Sequence, residues 1–424
     1  MLADSQTAAA GRPKVIAGVL SGTSADGIDV VLAKVQYGAT GEGSPTVTGA
    51  EALAFATEPF EPDLGRRVRA ILDGEPIGLG DLAALDRDLG LAFGSAARQV
   101  ADRHGVGDLV LVASHGQTVF HHDGDPSWGR ITLQLGDGDF VAEAAGVPVV
   151  SDFRTRDCAA GGHGAPLVGL VDDTLFAGAP RPLAILNLGG MSNWTLLFGP
   201  GHGPLAFDAG PAGALLDGLS RRLLDAPYDR GGAAAQGGMA RRELVARWLE
   251  HPFFRAKGPR STGRDTFGEA YVDEILAAAQ AFDGGALGTA DVLATACAFV
   301  AESAAVALGG ALEESPQGDS GGAPAGPLHV AVAGGGLHNA ALMGELERSL
   351  RAGLGAERQD LKSGETLRVW SSAEFGVPPD GREALAFAVL GARFLVGEPS
   401  SSPSATGALA GRVLGKWSSG VRDC

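Results

Sequence analysis

The sequence predicts an α/β protein in which one structural plan is laid down twice. Three observations carry this. Each half opens with an apolar strand that runs into a glycine turn, returns as a second strand and adds a third. In each half a helix, a further strand and a polar turn then follow. The chain has 424 residues, enough for two lobes with full cores. The halves do not match residue for residue, so the repeat is one of topology. A duplicated lobe of this kind is expected to clasp a ligand between its copies, with the strand ends facing the crevice.

In the first half, residues 15–20, 29–35 and 46–56 read as strands. Over residues 81–104, Leu82, Leu85, Leu89, Phe93 and Val100 share one helical face. A short strand at 109–113 ends in Ser114-His115-Gly116-Gln117-Thr118. In the second half, 183–186 is a strand, 187–193 a glycine turn, 194–198 the return and 206–210 the third strand. An Ala-rich helix at 290–312 precedes the strand 329–333 and the turn Gly334-Gly335-Gly336-Leu337-His338-Asn339. Residues 313–326 read as a flexible surface insertion within the second lobe, and 398–404 as a Pro/Ser-rich connector. The expected layout is a disordered lead-in at 1–14, an N-terminal lobe at 15–150, a C-terminal lobe at 151–410 and a tail at 411–424.

Composition narrows the classes of function. With 45% hydrophobic and 20% charged residues the chain reads as a soluble globular protein. A net charge of −17 argues against nucleic acid or an anionic membrane as the main partner. No membrane span is expected, since no run of 18 apolar residues occurs. The N-terminus lacks the apolar core of a signal peptide. Three widely spaced cysteines fit a reducing cytoplasm and leave no disulfide framework or zinc motif.

The densest chemistry lies in Ser21-Gly22-Thr23-Ser24-Ala25-Asp26-Gly27-Ile28-Asp29, between the first two strands. Gly22 and Gly27 permit a tight turn and close approach to a ligand. Backbone N–H groups and the hydroxyls of Ser21, Thr23 and Ser24 can hold phosphate oxygens, and Asp26 and Asp29 can hold Mg²⁺ through water. The same residues also suit an ordinary glycine turn. Asp208 ends a strand beside Gly210 and Pro211. It is placed either as a general base, a role worth about 10²–10⁴ in rate, or as the cap of a following helix.

Other segments leave the same choice open. His115, Gln117 and Thr118 can hydrogen-bond a polar substrate, or pack. The run from Asp152 through Arg154, Arg156 and Asp157 to Gly161-Gly162-His163-Gly164 can meet oxyanions, or act as a hinge with Arg–Asp pairs. Gly334, Gly335 and Gly336 suit the flat face of a nucleotide base, or a plain turn. Ser261 and Arg264 can hold a sugar or phosphate, or form an N-cap turn. Glu383 can bind sugar hydroxyls, or sit on the dipole of a helix first turn. No Walker A, His-Glu-x-x-His or credible nucleophile elbow is present, which favours a bound phosphate donor.

Taken in order from about Val15 to Gly415, these segments resemble the anhydro-N-acetylmuramic acid kinase family of the actin-like/sugar-kinase ATPase superfamily. The resemblance implies a two-lobed actin-like fold with duplicated ribonuclease-H-like domains around a nucleotide cleft, working as a cytoplasmic homodimer. It implies ATP and Mg²⁺ as cofactors. The family opens the 1,6-anhydro bond of its sugar and phosphorylates O6. By position, Gly22, Thr23, Ser24, Ala25, Asp26, Gly27, Ile28 and Asp29 would bind ATP phosphates. Asn187, Gly189, Gly190, Gly334, Gly335, Gly336 and Asn339 would complete the nucleotide site. Asp208 would be the base, and His115, Gln117, Thr118, His163, Gly164, Ser261, Arg264 and Glu383 would face the sugar.

The sequence departs from the family at a sensitive place. The usual Asp-Thr-Gly-Pro-Gly-Asn is here Asp208-Ala209-Gly210-Pro211-Ala212-Gly213, and His163 stands where Gln is usual. The expected activity is an ATP-dependent kinase for 1,6-anhydro-N-acetylmuramic acid. The alternatives are a kinase for another anhydro sugar such as levoglucosan, or a non-catalytic nucleotide-binding regulator.

Overall fold

A computed structural model describes residues 13–22, 25, 27–41, 43–125, 128–199, 203–256, 260, 262–285, 287–314, 328–355, 368–401 and 406–420. Thr23, Ser24, Asp26, Ser261, nearly all of the 313–326 insertion and residues 1–12 lie outside these. Two compact units emerge: Met1–Gly178 with Phe375–Cys424, and Ala179–Glu374. The sequence places the lobe boundary at 150 and gives 151–410 to the second lobe; the contacts divide the chain differently. The segments 151–178 and 375–424 join the first unit because their helices pack on its strands.

In the first unit the strands are β1 (Lys14–Ser21), β2 (Ile28–Ala39), β3 (Pro45–Glu58), β4 (Leu109–Asp125), β5 (Gly129–Leu135) and β6 (Val149–Ser151). Its helices are α1 (Pro62–Leu72), α2 (Leu79–Arg103), α3 (Gly138–Ala145), α4 (Phe153–Ala159) and the single turn α5 (Asp172–Leu175). The second unit holds β7 (Leu183–Leu188), β8 (Met191–Leu197), β9 (Leu205–Pro211), β10 (His329–Ala333) and β11 (Val369–Ser371). Its helices used below are α6 (Gly213–Leu224), α7 (Thr289–Glu314) and α8 (Ala340–Gly355). The chain then returns to the first unit with α9 (Arg382–Val396) and β12 (Lys416–Ser418).

The strand orders expose the duplication. The first sheet runs β12-β6-β4-β1-β2-β3 with β5 added to β4, and the second runs β11-β10-β7-β8-β9. In both, three antiparallel strands are extended by two parallel ones from the first of the three. This is a ribonuclease-H-like order, present twice, and it matches the predicted fold class. Its effect is to bring the turn after the first strand next to the carboxyl ends of the parallel strands, so each unit gathers its glycine turns at one sheet end.

Strand β1 is buried along nearly its whole length because helices cover both faces. On one face Val15, Ala17 and Val19 pack with Leu85, Leu89 and Phe93 of α2. On the other, α9 lies so close that a Cβ on Gly18 would fall 1.8 Å from the Ala384 carbonyl oxygen. The start of α9 is also pinned by a buried ion pair. Arg382 donates from Nε to Asp172 Oδ1 at 3.1 Å and from Nη2 to Oδ2, with both residues almost fully shielded.

In the second unit the long helix α7 runs through the core. Trp194 Nε1 donates to Ala304 O at 2.9 Å, and Trp248 and Phe254 meet Phe299 edge-on. Among the described residues it is the one helix long and apolar enough to cross a membrane, yet 83% of its most apolar window is buried within the protein. It is a core helix, which explains an apolar sequence with no polar face.

Gly18→Ala is expected to lower stability by about 1–3 kcal/mol or more, since backbone, rather than a pliant side chain, blocks the added methyl. Urea unfolding measures this; an unchanged midpoint would contradict the packing of α9 on β1.

Candidate functional site

Ala25 N donates to Gly22 O at 3.1 Å, and Ala25 sits at φ 50, an uncommon conformation for a residue with a side chain. Gly27 is required by close packing: a Cβ there would lie 2.7 Å from Thr57 and 2.9 Å from the Glu58 carbonyl. Ile28 turns into the core. Asp29 accepts from Thr57 Oγ1 at 2.6 Å.

The Ser114–Thr118 motif does not close a short strand, as the sequence suggests; β4 continues to Asp125. The motif instead lies at an irregularity. Gly116 adopts φ +79, and the β1–β4 register shifts between Val19 and Leu20. Gln117 Nε2 donates to Gly22 O at 3.3 Å and to Thr118 O at 3.2 Å, tying the hairpin to β4. Thr118 Oγ1 accepts from Gln134 Nε2 at 3.2 Å. Around this tie, Ser21 Oγ, Ser114 Oγ, Gln117 Oε1 and Gln134 Oε1 are buried without a hydrogen-bond partner. Native proteins rarely leave such groups unpaired, so four in one neighbourhood mark a place built to receive polar atoms.

Beside it lie α4 and the glycine loop. His115 is buried, with Nδ1 3.0 Å from Gly116 O and Nε2 accepting from Arg154 Nε at 2.8 Å. Arg154 Nη1 donates to Gly164 O at 2.9 Å, while Gly164 N donates to Asp157 Oδ2 at 2.8 Å. Gly164 adopts φ +74, and a Cβ would meet Cys158 Sγ at 2.7 Å. His163 N donates to Thr406 O at 2.8 Å, and Thr406 Oγ1 donates to Asp157. Glu383, in the first turn of α9, favours the charge on Arg154.

In the second unit, Asn187 is the last residue but one of β7, and the turn Gly189-Gly190 follows. The turn's carbonyls serve as the cap of α6. Gly189 O accepts from Gly213 N at 2.9 Å, and Gly190 O accepts from Ala212 N and Ala214 N at 3.0 Å each. Asp208 is therefore not the helix cap; α6 has Ala212 at its N-cap, with no side-chain bond. Instead the Asp208 carboxylate accepts from Thr262 N at 2.8 Å, and its backbone N donates to Arg260 O at 2.8 Å. Arg264 opens the short helix that follows. Gly334, Gly335 and Gly336 wrap the end of β7: a Cβ on Gly334 would fall 2.7 Å from Leu188 C and 3.0 Å from Asn187 Oδ1. Asn339 Oδ1 accepts from Leu342 N at 3.0 Å, so its carbonyl caps α8.

Two kinds of comparison bear on these residues. Residues 14–419 match the family model "Anhydro-N-acetylmuramic acid kinase". Curated relatives of that name include one from Gloeobacter violaceus, 37% identical over 93% of this chain and 96% of its own length. Another, from Salinibacter ruber, is 36% identical over 96% of both chains, and one from Pseudomonas putida is 37% identical over 94% and 97%.

This chain belongs to the anhydro-N-acetylmuramic acid kinase family.

Within this family member the first unit gathers Gly22, Ala25, Gly27, Asp29, His115, Gln117, Thr118, His163, Gly164 and Glu383 around one sheet end. The second gathers Asn187, Gly189, Gly190, Asp208, Gly334, Gly335, Gly336 and Asn339 around another. Sequence reasoning left Arg154 and Asp157 as one reading of a hinge loop, and missed Asp172, Arg382 and Thr262. Arg154 and Asp157 share α4 but act on His115 and Gly164, and Asp172 and Arg382 lie 210 residues apart, so no spacing signals their roles. Thr262 acts through its backbone N–H, to which sequence is blind.

Burial, together with the nearby charge of Arg154, holds the His115 imidazole well below its usual 6.5. Below pH 6.5 the unfolded chain gains a proton that the folded protein refuses, so stability falls with acidity in that range. As the pH falls below 6.5 the wild type is expected to lose more stability than His115→Gln. Urea unfolding across this range checks the difference; parallel curves would contradict a neutral His115.

Proposed function

We propose that this protein is an ATP-dependent kinase that opens the 1,6-anhydro bond of 1,6-anhydro-N-acetylmuramic acid and phosphorylates O6. The products would be N-acetylmuramic acid 6-phosphate and ADP, as needed to reuse cell-wall sugar. Family membership supports the substrate class. The observation that carries the mechanism is Asp208: it does not end its strand, as the sequence suggests, but sits mid-β9 next to the β8–β9 register shift, with its carboxylate oriented by the Thr262 N–H and not consumed as a helix cap.

In this reading Asp208 takes a proton from water as the water oxygen bonds to the anomeric carbon C1. The C1–O6 bond breaks, and O6 accepts the γ-phosphoryl group that ATP supplies. Thr118, Gln117 and Glu383 are the groups we assign to the sugar, and the family resemblance adds Ser261 and Arg264. Gln117 Oε1, with its amide nitrogen already committed to two carbonyls, can only accept, which suits a hydroxyl. Ser21 and Ser114 hydroxyls are free to donate to oxygen.

The glycine turns suit phosphate because their backbone N–H groups carry no Cβ to keep a ligand away. We assign ATP to Gly22, Thr23, Ser24, Ala25, Asp26, Gly27, Ile28, Asp29, Asn187, Gly189, Gly190, Gly334, Gly335, Gly336 and Asn339. For Mg²⁺ the described residues offer Asp29 at the hairpin, and Asp26 completes the proposed pair. A magnesium ion that takes most of its shell from phosphates and water needs no more protein ligands than that. It would offset charge on the transferring phosphoryl group.

The departures at Ala209, Ala212 and Gly213 have a structural counterpart. Ala209 and Ala212 are buried in the core of the second unit. Gly213 lets α6 approach until a Cβ would stand 2.9 Å from Gly189 O. Backbone carbonyls thus do the capping for which a side chain would otherwise be used. A homodimer in the cytoplasm is the setting we propose, on the strength of the family resemblance and the cysteine usage.

Asp208→Asn is expected to cut phosphosugar formation by about 10²–10⁴-fold while ATP binding by calorimetry stays at the wild-type affinity. Products from anhydro-N-acetylmuramic acid and from levoglucosan are separated by mass spectrometry. Full activity of the variant would remove Asp208 as base. Preference for levoglucosan would reassign the substrate, and ATP binding without any phosphosugar would favour a regulator.

A further inference from the structure

His115 cannot serve two masters. Its Nε2 accepts from Arg154, and arginine has no acceptor, so the imidazole proton must sit on Nδ1, where it donates to Gly116 O. Both ring nitrogens are then spent inside the protein. The ring also packs 4.6 Å from Phe387, one helical turn after Glu383 on α9, and Phe387 lies 5.4 Å from Phe153, next to Arg154. His115 thus touches the two elements, α4 and α9, that carry Arg154 and Glu383.

Arg154 passes this order on. Its Nη1 fixes Gly164 O, and the neighbouring Gly164 N–H is fixed by Asp157, so the glycine loop is clamped at one residue by a cation and an anion. Glu383 stands near enough to favour the arginine's charge. We propose that His115 is a positioning residue: held as the neutral Nδ1–H tautomer, it orients Arg154 and through it sets Gly164 and Glu383 for the sugar, without touching the sugar itself. This replaces the direct sugar contact expected from the sequence. It rests on the kinase reading for its kinetic consequence, though not for its structural one.

The test has two arms on the full-length protein. In the first, ¹⁵N-histidine-labelled protein is examined by long-range ¹⁵N–¹H correlation, with the His115 signals assigned by their loss in His115→Gln. A protonated Nδ1 and an unprotonated Nε2 are expected; a protonated Nε2 would overturn the proposal whatever the kinetics. In the second, His115→Phe keeps a ring against Phe387 and removes the acceptor, while His115→Gln supplies an oxygen to Arg154. Both are assayed where circular dichroism shows them folded. His115→Phe is expected to lower kcat/KM for the sugar about 10- to 100-fold, with KM for ATP within about twofold of wild type, and His115→Gln to recover most of the loss. Wild-type sugar kinetics in His115→Phe, equal losses for both substrates, or no recovery with Gln would each overturn it. A wild-type protein that makes no phosphosugar but shows the Nδ1–H signature would count against the kinase reading alone.

Discussion

A guanidinium partly drawn out of water has to be met by acceptors and by negative charge, and the first unit is organised around meeting that demand at Arg154. Desolvation lowers its affinity for the proton, while Glu383 and Asp157 act the other way. The acceptors are His115 Nε2 and Gly164 O. Each partner comes from a different element: β4, the glycine loop, α4 and α9. One charge therefore holds four segments in register, and three of them carry residues assigned to the sugar. A fully buried ion pair, Arg382 with Asp172, fixes the start of α9 one residue before Glu383. Removing one partner of such a pair leaves an uncompensated charge, which is costlier than never having had the pair.

The two units use one topology and differ in how they finish their turns. In the first, the hairpin is tied by a side chain, Gln117, reaching the Gly22 carbonyl. In the second, the turn's own carbonyls cap α6, and the glycine at 213 makes room for that contact. The same strand order thus supports a side-chain tie in one copy and a backbone tie in the other. This is why the replacement of the family's usual Thr and Asn by Ala209 and Gly213 leaves the turn anchored.

Much of the fold was legible because it rests on period and punctuation. Strands β1, β2, β7 and β10 and helices α2 and α7 lie where apolar pattern and glycine place them. The short helices between 213 and 285 and the return of α9 to the first unit were not. Their faces are set by tertiary partners such as Gly18, whose missing side chain gives no pattern to read. At the site, Asp208, Gly164 and Glu383 were legible as residue types, although Asp208 lies in the middle of β9, Gly164 in a loop and Glu383 in the first turn of α9. The choice between base and cap at Asp208 was not, because it is decided by the backbone N–H of Thr262 and by the carbonyls of Gly189 and Gly190. Likewise the motif around His115 announced chemistry, while only the geometry shows that its ring nitrogens are turned inward.

The central claim is that ring opening by water and phosphoryl transfer to O6 occur together on this protein. The most direct measurement is turnover of ATP and 1,6-anhydro-N-acetylmuramic acid in H₂¹⁸O, with products resolved by mass spectrometry. The account predicts a 6-phosphosugar carrying one ¹⁸O at C1 and unlabelled phosphoryl oxygens. Label appearing in free inorganic phosphate without any phosphosugar would contradict it, since water would then be attacking ATP and not the sugar.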